Sequence, residues 1–435
     1  MSAKIDKDLF DLDVLHRQGL RLCLGAFKSS PNESLYVEAN EPPLELRRKY
    51  LSMKYALKIK SNPNNPVFDS LFKLPYSYLY ENSNNLSLGE SVHRLFKDAH
   101  IDTRKILLSK IPEYPIWRCK PNKVNFELSS YDKSTTSSAF FKSKFLSDIL
   151  PQYEEYIPIY TDGSKQNDLA SFGIYCSPAS TSSRLTNDSS IFTAEIEAIK
   201  RALQYCKTSL RFRNTNGTYK KVVIFCDSKS VLECISNQDS KNPLMTEVLD
   251  TLHKFRKSKF IIEFCWIPSH VGILGNEIAD QKAKAALNNE LLISYKIPYT
   301  DFIAKVKTYI RNLWQNRWTE NKNNRGNKLY MINKDIHPFY INGLSRKDEV
   351  VIHRIRLGHT WLTHSHLMED RPLPLCFYCH ETPISIKHIM IECDFFTILR
   401  NRFYEGAVDM RDLFERFSLR NILEFLKRSN LYKLI

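Results

Sequence analysis

The chain has 435 residues, is 43% hydrophobic and carries a formal net charge of +15. The length exceeds what one core needs and implies two or three domains. The apolar fraction excludes a disordered chain, and the basic balance favours a polyanionic partner such as nucleic acid.

Residues 1–60 read as helical, from the apolar spacing in LDVLHRQGLRLCLGAF and ELRRKYLSMKYALKIK. Polar stretches SNPNNP at 61–66 and ENSNNLS at 81–87 follow, and STTSSAFFKSKFLSDILPQYEEY leads to a boundary near 150. From 156 the pattern becomes strands alternating with helices. YIPIYT, SFGIYCS and RLTN are predicted strands, and SIFTAEIEAIKRALQYC is an amphipathic helix. KKVVIFC is a strand, SKSVLECIS and PLMTEVLDTLHKFRKS are helices, KFIIEFCW is a strand, and GNEIADQKAKAALNN is a last helix. The expected fold class is α/β, a mixed five-stranded sheet with helices on both faces. Residues 291–435 look mainly helical, starting with KVKTYIRNLWQNRW, and hold 23 basic against 15 acidic side chains. The expected domains are therefore 1–150, 151–290 and 291–435.

The N-terminal MSAKIDKDLFDL has no signal-peptide apolar region, and no run of 18 apolar residues occurs. A secreted or membrane-spanning protein is not expected. Most of the ten cysteines stand alone in apolar runs such as VVIFC and IIEFC. That pattern suits reduced thiols and an intracellular protein, nuclear or cytoplasmic.

Four acids occupy informative places. Asp162 follows YIPIYT, and Asp227 follows VVIFC. Asp162-Gly163 also suits a turn that ends the first strand. If those two strands are parallel neighbours, the two acids leave the same sheet edge side by side. Glu195 shares a helix face with Ala198, Ile199 and Ala202, so it points to the core. Glu197 shares the polar face with Lys200 and Arg201 and reads as solvated. Asp280 stands four residues before Lys284 and ten after His270, which lies in a loop with Pro268, Gly272 and Gly275. Each of these residues has an ordinary reading alone: a turn, a surface ion pair, a loop histidine. Together they can converge, and an unpaired core carboxylate is costly. Converging carboxylates repel unless divalent cations neutralise them. Hard oxygen ligands suit Mg²⁺ or Mn²⁺, and two such ions roughly 3.5–4 Å apart are a known solution for phosphodiester hydrolysis.

These residues resemble the type 1 ribonuclease H family over about 155–290. Its acid set maps in order onto Asp162 in YTDGS, Glu195 in FTAEIEA, Asp227 in FCDSKSVL and Asp280 in GNEIAD, and its loop histidine onto His270. WIPSHVGILGNEIADQKAKAA is similar to the ribonuclease H domains of non-LTR retrotransposons. The resemblance implies a ribonuclease H-like fold and hydrolysis of the RNA strand of an RNA–DNA hybrid. It also implies two Mg²⁺ or Mn²⁺ ions on the four acids and proton movement by His270. Many family members carry a basic protrusion after the third acid; here that connection is only SNQDSKNP, with one lysine. Grip on substrate is then expected from the basic C-terminal third. Alternatives are a catalytically inactive nucleic-acid-binding protein of the same fold, or another nuclease of that superfamily. LHRQGLRLCLGAFKSSPNESLYVEANEPPLELRR is similar to the segment after a reverse transcriptase thumb, yet no Asp-Asp dipeptide occurs. The chain is thus expected to be part of a longer element protein, partnered by an upstream reverse transcriptase module.

CFYCHETPISIKHIMIEC spaces Cys376, Cys379, His388 and Cys393 as Cys-x2-Cys-x8-His-x4-Cys. Three thiolates and an imidazole can close a tetrahedral Zn²⁺ site. The spacing is similar to the C-terminal motif of non-LTR element proteins. His380, adjacent to Cys379, is a poorer ligand. The upstream HRIRLGHTWLTHSHL offers arginines and histidines to phosphates, or is an ordinary helix surface.

Overall fold

The computed structural model describes residues 2–74, 78, 86–115, 122–208, 220–238, 242–258, 260–289, 296–324 and 326–435. Most of ENSNNLS, and residues 239–241 of the SNQDSKNP connection, lie outside the described residues. The chain forms two compact units, Met1–Leu51 with Thr308–Ile435, and Ser52–Lys307. This division by compactness differs from the boundaries at 150 and 290 that the sequence suggests. Among the described residues no helix is long and apolar enough to cross a membrane.

In chain order the helices begin with α1 (Ser2–Leu24), α2 (Asn32–Glu38), α3 (Leu44–Lys60), α4 (Phe68–Phe72), α5 (Leu88–Asp98) and α6 (Ser138–Lys144). The strands are β1 (Val124–Asn125), β2 (Ile157–Gln166), β3 (Leu169–Cys176), β4 (Ala179–Arg184), β5 (Lys220–Cys226) and β6 (Phe260–Trp266). Among and after them come α7 (Ile191–Thr208), α8 (Lys229–Ser236), α9 (Pro243–Arg256), α10 (Leu274–Ala286) and α11 (Phe302–Glu320). The chain closes with α12 (Arg346–Leu357), α13 (Trp361–His364), α14 (Thr397–Tyr404), α15 (Met410–Arg416) and α16 (Leu419–Arg428).

The unit Ser52–Lys307 is built on one mixed sheet of order β1-β6-β5-β2-β3-β4. β5 pairs in parallel with β2 and β6, while β2–β3–β4 is an antiparallel meander. β5 explains its own position. Val222–Cys226 are fully buried, as an apolar run covered on both faces requires. Val222, Ile224 and Cys226 pack with α7, α8 and α9 residues such as Ile196, Leu232 and Val248. Val223 and Phe225 face the other way, against Phe141, Phe145, Ile149 and Tyr153. That second face is thus covered by chain upstream of the first long strand.

Three differences from the expectation have physical causes. The sheet has six strands rather than five, because Val124–Asn125 adds a two-residue parallel edge to β6; two residues carry no legible periodicity. The third strand of the meander is Ala179–Arg184, not RLTN. ASTSSR is a half-exposed edge strand with no apolar alternation to announce it. Most consequentially, β2 does not stop at Asp162. It runs to Gln166, with Gly163 and Ser164 paired to Phe172 and Ser171, and the chain reverses at Asn167, where φ is 54°.

In the other unit, Arg317 forks onto Glu33 with contacts of 2.6–3.1 Å. The fully buried Glu38 carboxylate accepts from Arg356 Nε at 2.9 and 3.0 Å and lies 2.7 Å from His353 Nδ1. Burial alone would raise the Glu38 pKa, yet Arg356 and His353 hold it below the ordinary range.

Candidate active site

The last parallel pair between β2 and β5 is Thr161 with Cys226. The next residue on each chain is an acid, so Asp162 and Asp227 emerge together where β2 outruns β5. Asp227 is held by its backbone: the Trp266 indole N–H donates to its carbonyl at 3.0 Å. A hydrogen bond also links the Asp162 and Asp227 side chains.

Asp280 reaches the same point through two close approaches. Asp162 is paired across β3 with Gly173. A Cβ on Gly173 would lie 2.3 Å from the Ala279 carbonyl oxygen and 2.7 Å from the Ala283 nitrogen. The absent side chain lets α10 lie directly on β3, where the Ser171 hydroxyl donates to the Ala283 carbonyl at 2.5 Å. A Cβ on Gly275 would likewise strike the Tyr160 ring at 2.2 Å. Asp280, adjacent to Ala279, is thereby hydrogen-bonded to Asp162. Lys284 Nζ sits 2.7 Å from the Asp280 carboxylate.

Glu195 enters from α7 on its core-facing side. It accepts the Gly163 backbone N–H and lies 3.9 Å from the Cys226 thiol. Ligand atoms of Glu195, Cys226 and Asp227 fall within 4.8 Å of one another. Glu197 is buried too, contrary to the solvated reading. Lys200 at 3.1 Å and Arg201 at 3.9 Å neutralise it. The difference between the two glutamates is therefore pairing rather than exposure.

Asp162, Glu195 and Asp280 are only 5–7% exposed. Burial pushes the Asp162 carboxyl up to about 10, with Asp227, Glu195 and Asp280 adding to it. Burial and then Asp227 raise Glu195 well above its ordinary value. Asp227 is raised by burial as well, against stabilising hydrogen bonds led by the Asn276 side chain. These acids line a cavity of about 360 Å³ together with Ser164, Lys165, Ser228, Ser230, His270 and Lys284. Clustered carboxylates that resist ionisation, with mostly oxygen donors, fit hard divalent cations.

His270 stands at the rim. Its side chain is 60% exposed, its Nδ1 is 3.9 Å from Asp280, and its backbone is left-handed at φ 55°. Ligand atoms of His270, Glu277 and Asp280 also lie within 4.8 Å of one another. The sequence reading missed Gly173, Asn276 and Cys226. Asn276 was within reach, since it lies four residues before Asp280 and so shares its face. Gly173 carries no such signal, because its role is a contact with a helix a hundred residues away.

The Cys/His cluster forms separately. Ligand atoms of Cys376, Cys379, His388 and Cys393 lie within 4.8 Å of one another. Cys376 Sγ is 3.9 Å from Cys393 Sγ, and Cys379 Sγ is 3.3 Å from His388 Nε2. Backbone N–H groups of Glu381 and then Thr382 lower the Cys379 pKa to about 6, favouring its thiolate. His380 stays outside the four; its backbone N–H closes the turn onto the Cys376 carbonyl at 2.9 Å. The arrangement is a Cys3His site able to bind a metal ion.

Fold and cluster together define a class. Residues 154–288 match the RNase H family, and the mixed sheet with its helices is consistent with an RNase H fold. Within that class the chain is similar to the Pol polyprotein of equine infectious anemia virus. It is 29% identical to that of strain Wyoming over 144 residues, which is 32% of this chain and 11% of the polyprotein. The polyproteins of isolates 1369 and CL22 are 28% identical over the same length. The chain thus spans about a tenth of the length of these curated relatives.

Proposed function

We propose that residues 154–288 are a type 1 ribonuclease H that hydrolyses the RNA strand of an RNA–DNA hybrid. The observation that carries this is the meeting of Asp162, Glu195, Asp227 and Asp280 at the point where β2 outruns β5. Asp162 and Asp227 would hold two Mg²⁺ or Mn²⁺ ions, with Glu195 and Asp280 completing the ligand set. When bound, such ions supply an activated water and offset the charge developing on phosphate. The chain's own residues do the rest. Gly163 orients Glu195 through its N–H, Asn276 orients Asp227, and Lys284 balances Asp280. His270, exposed at the rim, is placed to carry a proton between the site and solvent. The similarity to Pol polyproteins and the flanking Cys3His site support a retroelement origin, with Zn²⁺ on Cys376, Cys379, His388 and Cys393.

The test is cleavage of a hybrid labelled on its RNA strand by the full chain, in Mg²⁺ and in Mn²⁺. RNA-strand products that vanish with Asp227→Asn are expected. A wild-type chain inert in both metals would refute the proposal.

A further inference from the structure

The segment HRIRLGHTWLTHSHL lies outside the RNase H match, yet it lines a cavity of about 570 Å³. The wall includes Lys328, Arg356, His359, His364, His366 and Leu367. Pro383–Lys387, between the second and third ligands of the Cys3His site, closes one side. No carboxylate is among its described lining residues.

Arg356 is 2% exposed, and Glu38 occupies its Nε while its Nη2 has no hydrogen-bond acceptor. Its guanidinium also lies over the Phe339 ring, 3.5 Å from the centroid, so Arg356 adds positive charge behind this wall rather than an open donor. Lys328 adds a second cation, its stem set against Gly358, where a Cβ would lie 2.6 Å away. The imidazoles offer a different surface. His359 is fixed by Ser29 at 2.9 Å and by the Gly326 carbonyl at 2.8 Å. Its ring stacks on His364 with 3.9 Å between centroids. Burial drives the His364 pKa to about 3, so that ring is an uncharged plane rather than a cation. Met331, Ile355 and Met410 supply apolar wall. Cations, a flat ring stack and apolar walls in one cavity of this size suit a planar aromatic anion.

We infer that this cavity binds one nucleotide of single-stranded nucleic acid, its base against the imidazole and apolar walls and its phosphate at Lys328, with the Arg356 charge behind that wall. A duplex keeps its bases stacked and cannot place one in such a cavity, whereas a single strand can splay one out. The inference shares no residue with the carboxylate site.

The test uses the full chain and a fluorescein-labelled oligothymidylate of about twelve nucleotides, read by anisotropy at fixed salt, beside a duplex of equal length. Being DNA alone, the probe is no substrate for hybrid cleavage, so the result stands apart from the proposed activity. Lys328→Glu and Leu367→Trp should each weaken single-strand binding by about tenfold or more and change duplex binding less than about twofold. Leu367 is 56% exposed, so its variant should keep the wild-type melting temperature. A 4-thiothymidine in the strand should crosslink within residues 326–387. Absence of single-strand binding, unchanged affinity in both variants, or crosslinks falling wholly outside that segment would overturn the inference.

Discussion

The backbone N–H of Gly163 donates to the carboxylate of Glu195, and a Cβ on Gly163 would lie 3.0 Å from the Glu195 nitrogen and 3.1 Å from its carboxyl carbon. One glycine on β2 therefore both orients the glutamate and leaves space for it. Gly163→Ala should push Glu195 off its position while β2 stays paired. Misplacement by about an ångström can lower a rate by about 10²-fold. The contacts require Glu195 to shift by a few tenths of an ångström, so hybrid cleavage by the variant should fall by up to about 10²-fold, with circular dichroism unchanged; full activity would show that Glu195 tolerates displacement.

Gly173 is the corresponding position under α10. Gly173→Ala meets backbone atoms of Ala279 and Ala283 rather than a flexible side chain, so the helix has to lift. Overpacking of this kind costs about 1–3 kcal/mol. The expected result is a lower melting temperature together with weaker thermal stabilisation by Mg²⁺, since Asp280 would move away from Asp162.

The acid cluster should make the metal-free protein sensitive to pH in a direction opposite to ordinary ion-paired carboxylates. Asp162, Glu195 and Asp227 all have folded-state pKa values above their unfolded values. The folded state then binds more protons than the unfolded one. Stability falls as pH rises from near 4, through the window that ends at the folded values, about 10 for Asp162. In chelator, raising the pH from 5 to 8 should lower the melting temperature of the wild type more than that of Asp162→Asn. Millimolar Mg²⁺ at pH 8 should raise the wild-type value and leave that of the variant nearly unchanged. Equal pH slopes for the two proteins would argue that these carboxylates are not coupled.

The Cys3His site predicts about one zinc per chain, measured by elemental analysis after purification without chelator. Cys376→Ser should reduce the ratio and destabilise the protein, because Cys376 is fully buried beside Cys393. A wild-type ratio near zero would remove zinc from the account.

Much of the sheet was legible because β5 and β6 are apolar runs and α7 has a clean apolar face. Asp162 and Asp227 were legible because each follows such a run, and Glu195 because it shares the apolar face of α7. Glu197 was misread because helical spacing assigns a face, not the environment beyond it. A second element can bury a polar face, and here Lys200, held also by Glu247 at 2.9 Å, makes that tolerable. RLTN reads as the third strand and ASTSSR goes unrecognised, because an edge strand needs no apolar alternation.

By itself the sequence determined which groups are available: four acids and a histidine in order, an apolar frame to position them, and three cysteines and a histidine at a spacing that suits a metal. These are properties of local order, and periodicity and spacing report them directly. The tertiary structure decided that Asp162 lies within a strand rather than at its end. The acid is freed because β5 stops pairing at Cys226 while β3 continues beside it. It also decided that Gly173 is where α10 lands and that residues 1–51 join 308–435. Where a strand outruns its neighbour, and which surface a helix meets, depend on partners remote in sequence, so no local pattern records them.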